Sequence, residues 1–283
     1  ADSYGRTVTL AVDPIEKKPL YHFLPGSEIL SIGPNGCTLT CDHCQNWNIS
    51  QEKVPVRYIP PGELPGIALE SGACGVAFTY TEPLLLYEYL TDVLPLLREK
   101  GLRSVLVTNG YLEEEPAKRI APLVDAFNVD LKGFSDRFYD DFCGGALGPV
   151  KRFIEIAAPR AHVEVTTLVI PGLNDSPEEI ERLATWLAGV DREIPLHLSR
   201  FFPNFRMSDR EPTPEATLKE SYSIARRYLD YVYVGNIFID GMDDTFCPSC
   251  GATVISRSGY SVSLPEVPGR CGRCGTGIKG VWE

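Results

Sequence analysis

Gly33-Pro34-Asn35-Gly36-Cys37-Thr38-Leu39-Thr40-Cys41-Asp42-His43-Cys44 decides the fold, because it follows directly on Glu28–Gly33, an apolar run that reads as a β-strand. Three thiolates at Cys-x3-Cys-x2-Cys spacing, on a Gly-rich loop at a strand end, can reach one compact inorganic cluster. No fourth cysteine follows nearby in the sequence. Structural metal sites close their coordination, whereas catalytic sites keep a position open. Cys37, Cys41 and Cys44 therefore suggest an iron–sulfur cluster with one accessible iron. A zinc site completed by His43 or a distant cysteine is the competing reading.

Outward from this loop, short β-branched or apolar runs alternate with helical patterns. Candidate strands are Glu28–Gly33, Cys74–Tyr80, Arg103–Thr108, Ala126–Leu131, His162–Val169 and Pro195–Phe202, with a seventh run at Tyr231–Ile239. Such alternation implies an α/β fold with a parallel sheet. Helix signals lie between the strands. Ser176-Pro177 with Glu179 makes a capping box, Thr213-Pro214 opens a helix, and Pro83 opens another that Gly101 ends. Six units fit a partial (β/α)6 barrel of the TIM type, and a doubly wound open sheet is the rival. Polar residues gather where strands end, at Glu82, Thr108-Asn109, Asp130 and Lys132, the edge at which parallel barrels build active sites. These observations divide the chain into an N-terminal arm (1–27), the barrel (28–240) and a Gly- and Cys-rich module (241–283).

Further strings narrow the reading. They are Cys41-Asp42-His43-Cys44-Gln45-Asn46-Trp47-Asn48-Ile49-Ser50-Gln51, Pro14-Ile15-Glu16-Lys17-Lys18-Pro19-Leu20-Tyr21-His22-Phe23, Pro171-Gly172-Leu173-Asn174-Asp175 and Ser199-Arg200-Phe201-Phe202-Pro203. Together with Cys37-x3-Cys41-x2-Cys44 they resemble the radical S-adenosylmethionine (SAM) superfamily. Within it they resemble the radical SAM component of the AmmeMemoRadiSam system, which is similar to pyruvate formate-lyase activating enzymes. The resemblance implies a [4Fe–4S] cluster on Cys37, Cys41 and Cys44. The reaction it implies is reductive cleavage of SAM to methionine and a 5′-deoxyadenosyl radical that abstracts hydrogen from a substrate.

Cofactor contacts are implied residue by residue. Tyr80-Thr81-Glu82 stands where many relatives carry Gly-Gly-Glu, with Glu82 on the SAM ammonium group. Thr108-Asn109 resembles the Thr-Asn of the activating enzymes, although Val107 replaces their Asp. Asp130 suits ribose hydroxyls, Lys132 suits a carboxylate, and His43 stands where an aromatic ring flanks adenine. The same resemblance implies a flavodoxin- or ferredoxin-like one-electron donor, and the other components of its system as partners.

Cys247-x2-Cys250 and Cys271-x2-Cys274, 20 residues apart, are spaced for a tetrahedral four-thiolate site. With a hairpin expected over Thr253–Leu264, this reads as a zinc ribbon. A rubredoxin-type iron and an auxiliary iron–sulfur cluster are the alternatives. Cys74 and Cys143 read as buried thiols. Candidate substrate contacts are Tyr111, His197, Arg200 and Phe202, with Arg200 able to clamp a carboxylate. This favours a small carboxylate-bearing metabolite as substrate. A glycyl-radical activase acting on a partner protein is the alternative, and a non-catalytic metal-binding protein a third. A ribbon over the C-terminal end of the barrel would narrow access to a small ligand.

A net charge of −11 without a basic block argues against nucleic acid. No apolar run approaches the roughly 18 residues of a membrane span, and Ala1–Leu10 lacks the features of a signal peptide, so the chain reads as cytoplasmic. It opens on Ala1 rather than Met, as expected if a segment precedes it.

Overall fold

The computed structural model describes residues 3–283; Ala1 and Asp2, with the reading of the chain start, lie outside the described residues. Strands β1 (Thr9–Pro14), β2 (Glu28–Gly33), β3 (Gly75–Phe78), β4 (Arg103–Thr108), β5 (Ala126–Asp130), β6 (His162–Val169), β7 (Leu196–Arg200) and β8 (Val232–Gly235) form one sheet. β2 to β8 are parallel and follow one another across the sheet in chain order, and β1 joins antiparallel to β2. A doubly wound sheet reverses its strand order at a switch point. This sheet does not, which excludes that rival. Its end strands β1 and β8 are not paired to each other, so the barrel is partial.

The period-two pattern sorts the strand side chains. Leu30, Ile32, Val76, Phe78, Leu106 and Phe127 pack outward against the helices. Ile29, Ala77, Val105 and Ala126 face inward and meet Ile15, Leu20 and Phe23 of the arm. The arm thus does two things that its sequence did not suggest. It supplies the edge strand β1, and its residues 15–23 fill the lower lumen. The seventh run Tyr231–Ile239 contributes only the four residues of β8, because Asn236 takes a left-handed φ of 61° that ends the extended path.

Helix α1 (Leu64–Glu70), α2 (Tyr87–Glu99), α3 (Glu114–Ile120), α4 (Asp136–Cys143), α5 (Leu147–Ala157), α6 (Pro177–Asp191) and α7 (Glu215–Ala225) return the chain between strands. At α6, Ser176 caps as expected, accepting from the Glu179 N–H at 3.2 Å. The second half of the capping box does not form. The Glu179 carboxylate instead accepts from the Phe134 N–H at 2.7 Å, tying α6 to the loop after β5.

Past β8, strands β9 (Thr245–Phe246), β10 (Thr253–Ser258) and β11 (Ser261–Ser263) form a small antiparallel sheet, with the expected hairpin turning at Gly259-Tyr260. Its position corrects the expectation that it narrows the barrel mouth. Cys247, Val254, Ile255, Cys271 and Ile278 pack with Tyr231 and Tyr233 at the start of β8. Arg103, the first residue of β4, donates to the Glu283 carbonyl at 3.0 Å. The ribbon therefore closes the N-terminal end of the barrel, opposite the strand ends. Among the described residues, no helix is long and apolar enough to cross a membrane.

Candidate active site

The loop after β2 is held on both flanks. A Cβ on Gly33 would sit 2.2 Å from the Thr79 carbonyl oxygen, so only glycine lets β2 end this close to the segment after β3. Further on, the Thr40 and Asp42 N–H groups donate to the Cys143 and Phe142 carbonyls, each at 2.9 Å, which pins the loop to the end of α4. Gly144 ends that helix at φ 66°, and a Cβ there would meet Thr40 Oγ1 at 2.4 Å.

Cys37, Cys41 and Cys44 line one wall of a cavity of about 290 Å³. Two of the sulfurs have polar partners. Cys37 Sγ accepts from the Leu39 N–H at 3.5 Å and from Asn109 Nδ2 at 3.6 Å, and Cys44 Sγ lies 3.2 Å from Ser50 Oγ. As free thiols, Cys37 and Cys41 are poor acids. Burial and the Glu82 charge push Cys37 up to about 12, while a hydrogen bond with Cys143 and burial raise Cys41.

The facing wall comes from the ends of β3, β4 and β5. Glu82, 1% exposed, accepts from Thr108 Oγ1 at 2.6 Å, the Asn109 N–H at 2.8 Å and the Leu84 N–H at 2.9 Å. Burial raises its pKa to about 7 against the opposing pull of those donors. Lys132 Nζ bonds Asp130 Oδ2 at 2.7 Å. Burial works against the Lys132 charge, and the Asp130 carboxylate and nearby sulfurs more than offset it, so its pKa is raised. His43 is 4% exposed, lines the cavity, and has both ring nitrogens without a hydrogen-bond partner. Burial, with Lys132 nearby, lowers it to about 3 and keeps the ring neutral.

Of the residues expected at the site, Cys37, Cys41, Cys44, His43, Thr81, Glu82, Asn109, Asp130 and Lys132 line this one cavity, and Thr108 stands behind Glu82. The four substrate candidates do not line it. His197, 3% exposed, is turned into the lower lumen, where its Nε2 lies 2.6 Å from Glu164 Oε2. Arg200 donates from Nε to the Thr213 carbonyl at 2.8 Å and stacks on Phe202, which is exposed. Tyr111 packs beside Gly145 and Leu39, outside the cavity. Lys17, Pro19, Thr166, Leu168, Ser199 and Asn236 line the cavity instead. The parity of β6 and β7 could have pointed to Thr166 and Ser199. Lys17 precedes the first parallel strand and carries no strand-end signal.

At the other end of the barrel, the sulfurs of Cys247, Cys250, Cys271 and Cys274 all lie within 4.8 Å of one another. Cys247–Cys274 and Cys250–Cys271 are each 3.6 Å apart. A tetrahedral ion with metal–sulfur bonds of about 2.3 Å spaces its ligands by about 3.8 Å, so these four can hold a single metal ion.

Residues 31–187 match the family model of the Radical SAM superfamily. The chain belongs to that superfamily. It is 39% identical to an uncharacterized protein of Methanocaldococcus jannaschii over 98% of this chain and 85% of that one. It is 28% identical to the pyruvate formate-lyase-activating enzyme of Clostridium pasteurianum over 55% of this chain and 67% of the relative. Among solved structures, a domain of pyruvate-formate lyase-activating enzyme from Bacteroides vulgatus superposes with a TM-score of 0.51 at 21% identity, covering 57% of this chain and 99% of that domain.

Radical SAM membership implies a [4Fe–4S] cluster and SAM, and the residues present fit both. Cys37 carries donors at its sulfur and Cys44 has the Ser50 hydroxyl beside its own, contacts that stabilise cluster thiolates, and a bound metal would reverse the high pKa values of Cys37 and Cys41. The unpartnered nitrogens of His43 and the buried Glu82 offer polar groups to a heterocycle and an ammonium. The four-cysteine group can bind a metal at the far end.

Proposed function

We propose that Cys37, Cys41 and Cys44 would hold the [4Fe–4S] cluster and that Glu82, Asn109, Asp130, Lys132 and His43 would hold SAM. The observation that carries this reading is the meeting of all eight on one cavity at the C-terminal strand ends. The chemistry supplied when both cofactors are bound is reductive cleavage of SAM to methionine and a 5′-deoxyadenosyl radical that takes a hydrogen atom from the substrate. The chain's own part is positioning. Glu82, once ionised, accepts from the SAM ammonium, a charge-assisted bond of the stronger class. Asp130 accepts from ribose hydroxyls, and Lys132, held by Asp130, turns its remaining donors to the SAM carboxylate. Asn109 donates to the Cys37 sulfur, and the neutral His43 ring lies against adenine. A flavodoxin- or ferredoxin-like protein supplies the electron.

The cavity suits a small substrate, a carboxylate-bearing metabolite. An activase of a glycyl-radical partner is the second reading, supported by the activating enzymes among the relatives and by a ribbon that leaves the mouth uncovered. The test is anaerobic reconstitution followed by assay for 5′-deoxyadenosine with reductant and SAM. Product that depends on Cys41 is expected, and product undiminished in Cys41→Ala overturns the assignment. Supplying fractionated small molecules and proteins separately then decides between metabolite and partner protein.

A further inference from the structure

The cavity has two sides of different chemistry. The cysteine loop, Glu82, Asn109, Asp130 and Lys132 make one, and the SAM reading uses all of them. The other is made by Lys17 and Pro19 of the arm with Thr166, Leu168, Ser199 and Asn236 at β6 to β8. Among the described residues lining that second side there are hydroxyl and amide groups and one cation, and no carboxylate.

The charge of Lys17 is not cancelled locally. Its Nζ lies 2.7 Å from Asp13 Oδ1, with the side chain 45% exposed. The same carboxylate is also bonded, through Oδ2 at 2.7 Å, by Lys18, whose side chain is 1% exposed. Tyr80 donates to Oδ2 as well. A buried ammonium needs a counter-ion far more than a half-exposed one, since water solvates the latter. Asp13 therefore serves Lys18, and the three groups together leave one positive charge. Only Lys17 carries that charge to the cavity. Asp13 also fixes where it stands, because the ion pair anchors the Lys17 side chain at the end of β1.

We propose that Lys17 is the specificity-determining residue of the substrate side, and that the substrate carries a carboxylate group placed on its ammonium. Arg200, the carboxylate clamp expected from the sequence, is turned away to Thr213 and Phe202. Lys17 takes that role from a different element. An ammonium binds as a point charge and does not impose the planar two-point geometry of a guanidinium, so the hydroxyls of Thr166 and Ser199 orient the rest of the molecule. The assignment rests on the radical SAM reading of the cavity.

The test is calorimetric titration of the reconstituted protein, with SAM present, against succinate, its neutral analogue succinamide, and inorganic phosphate. Succinate is expected to bind and succinamide not to bind. Lys17→Gln should weaken succinate at least tenfold, Lys17→Arg should retain binding within about threefold, and raising the salt should weaken it, as screening requires of a half-exposed charge. Equal binding of succinate and succinamide, phosphate binding without succinate binding, or wild-type succinate affinity in Lys17→Gln each overturns the proposal. So does a Lys17→Gln variant that loses SAM affinity in place of succinate affinity. Formation of 5′-deoxyadenosine is read separately on the wild-type protein. A protein that cleaves SAM and ignores succinate overturns this assignment and leaves the SAM reading standing.

Discussion

Glu82 shows what burial does to one group at this site. Its pKa is raised from 4.5 to about 7 by burial, against the opposing pull of Thr108, Asn109 and Leu84. Folding thus favours the neutral carboxyl. That contribution is fully present below pH 4.5 and is lost as pH rises through about 7. An ammonium beside it favours the ionised form, so SAM affinity should strengthen between pH 6 and 8. In Glu82→Gln, affinity should fall by about ten- to a hundredfold, as losing a hydrogen bond to a charged group implies, and the pH dependence should flatten. Calorimetry across that range checks both, and a Gln variant that keeps the wild-type pH profile would remove Glu82 from the ammonium contact. Glu82, Asp130 and Lys132 were legible because parallel strands deliver their final residues to one edge. His197 was misplaced for a related reason. Strand parity says which face a side chain takes but not where its end lies: His197 stands opposite Thr166, which lines the cavity, yet its ring turns down to the Glu164 carboxylate.

Among the elements, the arm depends on β6. Glu164, wholly buried, accepts from the Tyr21 N–H at 3.0 Å and the His22 N–H at 2.7 Å, and its oxygens lie 2.9 Å from His162 Nε2 and 2.6 Å from His197 Nε2. Burial alone would raise its pKa, but the bonds from the two histidines hold it well below the usual range. Glu164→Ala leaves those donors unpaired in the lumen and should cost about 3–5 kcal/mol in urea unfolding. An unchanged midpoint would show that the arm docks without this carboxylate. The Ser176→Ala variant loses only one cap bond of α6 and should cost about 1 kcal/mol by the same measurement. Cap residues and strand runs are local signals and could be read from the sequence. The partner that Glu179 chooses, the Phe134 N–H, lies on another loop and follows from packing alone.

At the scale of the whole molecule, a hydrogen-bond chain ties the ribbon to the barrel. The Lys279 carbonyl can only accept, so His22 Nδ1 carries the proton. Burial lowers His22 to about 3 and keeps it neutral, which leaves Nε2 to accept from Tyr233. Tyr233 then accepts from Thr245, which in turn accepts from Arg257. Every donor in this chain has one direction. Stripping the metal from the four-cysteine site with a chelator, or introducing Cys271→Ser, should lower the thermal midpoint. Either should also raise amide exchange at residues 21–23 and 231–234, since the ribbon is too small to hold this face unaided. Unchanged exchange there would show that the ribbon docks without its metal. Metal analysis should find one further ion per chain beyond the cluster, as zinc or iron. The sequence by itself determined the parallel α/β pattern, the cluster loop and the four-thiolate spacing, because these arise from period, capping and ligand chemistry within short stretches. Only the tertiary structure decided which end the ribbon closes, that the arm fills the lumen, and that Lys17 rather than Arg200 meets the cavity. Each of these depends on contacts between residues far apart in the chain, whose relative heights and faces are set by strand register and packing rather than by any local pattern.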